Sequence, residues 1–519
     1  MANRSAIVKA TRRGRVGLLW SSFKKRLFGR SLRVLCPPDR ANLPFVKKTS
    51  GWLFVALAPC LVGLVGCRTK NEPPPAAKET PPRVDAGAPA PVVAPAAPVA
   101  STCPALDPAK LAAYATCGTN VVKTPVPQIE DPSESLAPLY ERLAELERGT
   151  ATRPLRIAFY GDSNLTSDFL TGHLRRALQA RYGDAGHGWV SLSRPWASYR
   201  HEDVSHAGFW PMFKLYAPTT HLVRDRQYGF ANLAAESKRI GAAAWVGTTK
   251  SAKSKVGQKV SHFELHYLKQ PSGGSFQVLI DKEEVRTIET RAAAFEAGIE
   301  TFDVEDGAHE LRCVIRGDGP VRLFGTSLDR SAGDPARAGV QIDSLGAGAL
   351  QFQRMTWVAN DTRREQLARR DYDAIVLWLG MNVMFVPPNR QWAKEVIAEL
   401  RTALPKAPIL LLSPGDTASS GAKKSAPRIV AVVQQLREVA RETGVAFWDF
   451  REAMGGDGSI INFTKRGLTG QDRIHFGPEG SQLMGDRLLC ALSSSFAEHV
   501  AKQPNAGCSH ADGGAPADR

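Results

Sequence analysis

A chain of 519 residues, 43% of them hydrophobic and 23% charged, is too long for one ordinary domain and has ample mass to bury a core. Its formal charge of +16 would suit a nucleic-acid partner if it were spread over the fold, but thirteen Lys/Arg against one Asp fall in residues 1–50, so +12 of it lies there. What remains is nearly balanced and offers no basic face to nucleic acid.

Residues 1–50 therefore read as a basic leader. An apolar run from Trp52 to Val65 follows, interrupted by Pro59 and closed by Leu64-Val65-Gly66-Cys67. Basic residues, a short apolar core and small residues before a cysteine make residues 51–67 an export signal. The run is shorter than the roughly 18 apolar residues that mark a spanning helix. Leu64-Val65-Gly66-Cys67 also resembles a bacterial lipobox, which implies Cys67 as the lipidated first residue of an exported lipoprotein, anchored to a membrane of the cell envelope at the periplasm or outer membrane. A plain signal peptide and an uncleaved anchor helix are the alternatives. The leader is long for such a signal, which suits a translation start further along the chain.

Cysteine usage agrees with export. Beyond Cys67 come Cys103, Cys117, Cys313, Cys490 and Cys508, without a C-x-x-C pair or metal-ligand spacing. Cys103 with Cys117 and Cys490 with Cys508 are near enough in sequence for two small loops, leaving Cys313 a buried thiol, although spacing alone does not fix connectivity.

Residues 68–100 are dominated by Pro and Ala and read as an extended tether. A small cysteine-bearing segment, 101–132, precedes a helix whose face is Leu136, Leu139, Tyr140, Leu143 and Leu146, stopped by Gly149. The run Arg156-Ile157-Ala158-Phe159-Tyr160 is a buried strand ending in Gly161-Asp162-Ser163, and a helical pattern follows through Phe169, Leu170, Leu174 and Leu178. This sequence would deliver a serine to the top of a sheet at a helix N-terminus. From Gly186 to about Gly339 the rhythm changes to short strands, among them 263–268, 276–280, 299–304, 311–315 and 321–325, which imply an inserted β-sandwich. Near-continuous apolar runs at 373–379 and 408–413, a helix stripe through Trp392, Val396, Ile397 and Leu400, a helix over 427–442 and a strand at 445–449 then restore α/β alternation. The expected architecture is a doubly wound parallel sheet in three α/β/α layers, discontinuous over 133–189 and 340–495, with an all-β sandwich module inserted at 190–339 and a flexible tail at 496–519.

Each candidate site block falls just after a strand or before a helix: Ser163, the turn Ser344-Leu345-Gly346-Ala347-Gly348, Gly380-Met381-Asn382, and Asp472-Arg473-Ile474-His475. A serine hydroxyl needs a neighbouring base, which His475 supplies, with Asp472 fixing its tautomer. Singly, Asp472 is equally a cap, Asn382 a turn residue and His475 a structural histidine. The ordered set resembles the SGNH/GDSL hydrolases over roughly residues 133–495. That resemblance implies an oxyanion hole made by the Ser163 N–H, the Gly348 N–H (or that of Gly346) and the Asn382 amide. Asp168-Phe169-Leu170-Thr171-Gly172, the stretch Arg181 to Gly188 and the insert after the serine block look most like peptidoglycan O-acetylesterases, whose insert resembles a carbohydrate-binding module. Asn164 stands where a histidine is frequent.

Trp189, Trp196, Tyr199, His201, His206 and Trp210 cluster where the insert begins. They either line a glycan groove or dock the insert on the catalytic domain. No motif for a metal or cofactor is present, and none is expected. The expected function is an SGNH serine esterase removing O-acetyl groups from a cell-envelope polysaccharide, with peptidoglycan first. The rivals are a lipase or other acyl esterase, a glycan O-acetyltransferase, and a non-catalytic glycan-binding envelope lipoprotein.

Overall fold

The computed structural model describes residues 103–215, 222–251, 254–330, 338–382 and 390–508. The leader, the export signal with Cys67, and the 68–100 tether lie outside the described residues. Residues 96–519 form one compact unit.

The first elements are α1 (Pro108–Ala112), α2 (Ala137–Arg148), β1 (Leu155–Gly161) and α3 (Phe169–Tyr182). Gly149, left-handed at φ 69°, ends α2 where the sequence places the stop. Then come the strands of the insert: β2 (Gly186–Val190), β3 (Val204–Gly208), β4 (Met212–Lys214), β5 (Leu233–Ser237), β6 (Ala243–Thr248) and β7 (Val260–Lys269). It continues with β8 (Ser275–Ile280), β9 (Glu283–Glu289), β10 (Glu296–Gly307), β11 (Glu310–Ile315) and β12 (Val321–Asp329). The α/β part resumes with β13 (Val340–Gly346), α4 (Phe352–Met355), α5 (Asn360–Arg370), β14 (Ala374–Trp378), α6 (Arg390–Ala403), β15 (Ile409–Leu412), α7 (Pro427–Thr443) and β16 (Ala446–Trp448). Helices α8 (Phe450–Ala453), α9 (Ser459–Lys465) and α10 (Pro478–Lys502) complete it.

The parallel sheet runs β13-β1-β14-β15-β16, with β1 between β13 and β14. Strands β14, β15 and β16 are apolar on both faces because one core lies on each side, whereas β13 turns Gln341 and Asp343 to Arg370. The insert is a sandwich of two antiparallel sheets, β10-β7-β12-β5-β4 with β2 on β12, and β3-β6-β11-β8-β9. A third core, including Phe263, Tyr267, Phe276 and Cys313, belongs to this module. The expected α/β fold with an inserted all-β module is therefore present, and Cys313 is a buried free thiol.

Three boundaries differ from the sequence reading. Gly186–Val190, placed at the end of the first α/β segment, pairs with β12 and belongs to the module. The turn after the insert is preceded by a full strand, β13, paired with β1 from Leu155↔Val340 to Gly161↔Gly346. Residues 496–508 are no flexible tail, since α10 runs to Lys502 and Cys508 is disulfide-bonded.

The disulfides also pair differently. Cys103 bonds Cys508 and Cys117 bonds Cys490, because the 103–132 segment folds back onto α10 rather than closing on itself. Arg487, on α10, donates to the carbonyls of Cys117, Thr124 and Pro125. Glu130 pairs with Phe447 through reciprocal backbone hydrogen bonds of 2.8 and 2.9 Å, covering the outer edge of β16. Replacing Cys117 and Cys490 by serine should lower stability by about 2–5 kcal/mol. The measurement is the denaturant midpoint, with an unchanged midpoint the contrary result.

Candidate active site

The parallel register brings Gly161, Gly346 and Trp378 side by side at the carboxyl end of the sheet, where such sheets hold their sites. Gly161 has no room for a side chain: a Cβ there would lie 2.4 Å from Leu165 Cδ1. The backbone then turns sharply. Asp162 Oδ1 accepts from the Asn164 N–H at 3.0 Å, and the Leu165 N–H returns to the Asp162 carbonyl at 3.0 Å. Ser163 thus sits on an Asx-stabilised turn, not at the mouth of a helix as its sequence suggests, because α3 starts only at Phe169.

His475 arrives on the loop before α10. Asp472 Oδ1 accepts from the backbone N–H groups of Ile474 and His475 at 3.0 and 3.1 Å. Its Oδ2 lies 2.7 Å from His475 Nδ1, and His475 Nε2 lies 2.7 Å from Ser163 Oγ. Burial would raise the Asp472 carboxyl, but its hydrogen bonds from His475 and from the Ile474 and His475 backbone hold it below the ordinary value. Residues 312 apart in sequence thereby form a Ser–His–Asp relay.

Ser163 and His475 line a pocket of about 380 Å³ with Trp196, Gly348, Met381 and Asn382. Gly348 faces the Trp196 indole so closely that a Cβ would come within 2.8 Å of the ring. Gly346, the alternative, is the last residue of β13 and packs on Leu165, outside the pocket lining. Among the described residues, no acceptor takes the N–H of Ser163 or of Gly348. The Asn382 amide donates to Asp162 Oδ2 at 3.2 Å and to the Leu350 carbonyl at 3.3 Å. Such a site can relay a proton from a hydroxyl and receive negative charge on two backbone N–H groups and an amide.

Two functional neighbours are absent from the sequence-level site. Asn164 Oδ1 accepts from the Phe476 N–H at 3.1 Å, clamping the serine turn to the histidine loop. Asp162 links the same turn to Asn382. The only sequence signal for either was adjacency to Ser163, since their partners come from distant loops.

Burial pushes the Asp162 carboxyl up to about 6, against hydrogen bonds from Asn164 and the nearby charge of His475. Its folded pKa thus exceeds the ordinary 3.8, so its contribution to stability is full below that value and lost as pH rises through 6. A shift of this size corresponds to about 3 kcal/mol. Urea unfolding should show wild type losing about that much relative to Asp162→Asn between pH 4 and 7; parallel curves would contradict it.

The aromatic cluster divides. Trp189, Tyr199 and His201 are buried and dock the module, whereas Trp196 lines the catalytic pocket. Trp210 belongs to a separate, larger groove. Beneath the serine turn, Asp168, His187 and His201 bring three potential metal-ligand atoms within 4.8 Å of one another. Both Asp168 oxygens, however, already accept from the buried Arg175 guanidinium at 2.9 and 3.1 Å, which supplies the charge a cation would. Burial pushes His201 down to about 4 and His206 to about 3, so the imidazoles are neutral at neutral pH.

Residues 317–483 match the model of the GDSL-like lipase/acylhydrolase family. The α/β domain is an SGNH hydrolase. The match takes in Asn382, Asp472 and His475 but not Ser163, which the inserted module separates from the rest of its domain. The family match, together with the Ser–His–Asp relay at its site, makes the chain a carboxylic ester hydrolase. No match to a curated protein was found. Among solved structures, a peptidoglycan O-acetylesterase is similar at 22% identity over 71% of this chain and 99% of its own, with a TM-score of 0.58, a likeness of fold. A family two carbohydrate esterase from Clostridium thermocellum matches at 14% identity over 52% of this chain and 94% of its own, with a TM-score of 0.22. A salicylyl-acyltransferase from a tetracycline biosynthetic pathway matches at 14% identity over 61% and 97%, also with a TM-score of 0.22.

Proposed function

We propose that this esterase removes O-acetyl groups from a cell-envelope glycan, with peptidoglycan the first candidate, and that Ser163, His475 and Asp472 are its catalytic triad. The observation that carries the reading is the relay of 2.7 Å contacts from Asp472 through His475 to Ser163, opening on a pocket beside unclaimed N–H groups. Ser163 Oγ attacks the acetyl carbonyl carbon while His475 Nε2 takes the hydroxyl proton, and Asp472 steadies the resulting imidazolium. The tetrahedral oxyanion is received by the Ser163 and Gly348 N–H groups and the Asn382 amide, which gives up one of its long hydrogen bonds. One such donor is worth roughly 10²–10³ in turnover. Collapse breaks the bond to the sugar oxygen, which leaves with the proton from His475. Water, deprotonated by His475, then attacks the acetyl-serine, releases acetate and restores the serine hydroxyl.

The small pocket suits a short acyl group, and the similar fold of a peptidoglycan O-acetylesterase supports a glycan ester. Export and a lipid anchor at Cys67 would place the enzyme at that substrate; their support is the sequence of residues 51–67 alone. The test is acetate release from O-acetylated peptidoglycan, another O-acetylated polysaccharide and an aryl acetate. Cleavage of the aryl acetate with neither glycan deacetylated would refute the substrate while leaving the esterase intact.

A further inference from the structure

A groove of about 770 Å³, larger than the catalytic pocket of about 380 Å³, lies on the β module. It opens between the 209–211 turn that joins β3 to β4 and the 238–242 turn that joins β5 to β6. Backbone pairing of β4 with β5 holds the two turns together, and the Glu236 N–H reaches the Pro211 carbonyl at 3.0 Å. Phe209, 90% exposed, and Ile240, 75% exposed, both line it. They are the most exposed large apolar side chains among the described residues.

The groove's charge is one-sided. Glu236 is bonded to Arg322 at 2.9 Å, so its charge is spoken for. Lys238 and Arg239 are exposed, line the groove, and have no carboxylate partner among the described residues. Protruding apolar side chains flanked by unpaired cations are what the interface of an anionic bilayer accepts: the apolar tips enter below the headgroups and the cations stay among the phosphates. A sugar platform calls instead for a flat aromatic face framed by hydrogen-bonding groups; here Trp210 is buried, and the side chains that protrude, Phe209 and Ile240, stand beside two cations.

We infer that this groove edge, Phe209 and Ile240 with Lys238 and Arg239, is a docking surface for an anionic lipid membrane. The contact is independent of any lipid at Cys67. Phe213 of β4 lines the groove, and the next residue, Lys214, holds its Nζ 5.2 Å from the Trp196 ring that walls the catalytic pocket. A single strand, β4, thus lies between the docking edge and the wall of the pocket.

The experiment uses residues 96–519, a compact unit that contains both disulfides and lacks Cys67. Sedimentation with phosphatidylglycerol–phosphatidylcholine vesicles should show binding that weakens with salt, against little binding to phosphatidylcholine alone. Phe209→Ser with Ile240→Ser, and separately Lys238→Glu with Arg239→Glu, should each weaken it roughly tenfold or more. Melting temperature and aryl acetate cleavage should stay unchanged in both variants. No binding to anionic vesicles would overturn the inference, as would binding that neither pair alters. It would equally be overturned if the variants lost self-association or polysaccharide retention instead.

Discussion

Ser163→Ala should reduce acetate release from an aryl acetate by on the order of 10⁴–10⁶-fold while leaving the melting temperature unchanged. The hydroxyl stands at the end of a relay already at hydrogen-bond distance, 2.7 Å to His475 and 2.7 Å on to Asp472. Nothing else described in the pocket offers both a nucleophilic oxygen and a neighbouring base: Thr166 Oγ1 donates to the Ser163 carbonyl at 2.8 Å, and the Ser198 hydroxyl, also in the lining, bonds no histidine among the described residues. The residual rate would come from the oxyanion donors, which the substitution leaves in place. His475→Ala should cost about as much, and the double variant little more, because the two residues act as one unit. A Ser163→Ala enzyme within about tenfold of wild type would remove the triad from the mechanism.

Arg370→Met should lower unfolding free energy by about 3–5 kcal/mol. Arg370 ends α5, is 1% exposed, and donates to Glu264 on β7, Asp329 on β12 and Asp343 on β13. It also reaches Ser327 and Gln341. One guanidinium thus ties the sandwich to the parallel sheet where the module leaves and re-enters the α/β domain. Burial would push the Glu264 carboxyl up, but His266 and Arg370 hold it well below its ordinary range. Without Arg370 those carboxylates stay buried and lose their shared cation, the costly half of breaking a buried ion pair. Arg364→Met is the matched control: its bond to Glu399 is on the surface and should be worth less than about 1 kcal/mol. Denaturant midpoints of the two variants decide the matter, and equal midpoints would show the hub to be dispensable.

Local patterns made much of this protein legible. The runs at 156–160, 373–379 and 408–413 are apolar on both faces because a parallel sheet is covered on both sides. The alternating segments at 263–268 and 311–315 marked a sandwich because each shows one face to a core. The blocks at Gly161-Asp162-Ser163, Gly380-Met381-Asn382 and Asp472-Arg473-Ile474-His475 carried their chemistry in residue type and order. Weak strands were missed: β3 and β4 are short and mixed, and β9 is mostly exposed, so period-two patterning fades there.

The sequence by itself determined the residue types of the site, the α/β rhythm and the presence of an all-β insert, since periodicity and short motifs are local properties. Only the tertiary structure decided which cysteines pair, that Asn164 clamps the serine turn to the histidine loop, and that Gly348 rather than Gly346 faces the pocket. It alone showed that Arg370 joins the two parts. Each of these depends on segments that meet across hundreds of residues of chain, and no local propensity encodes a distance between them.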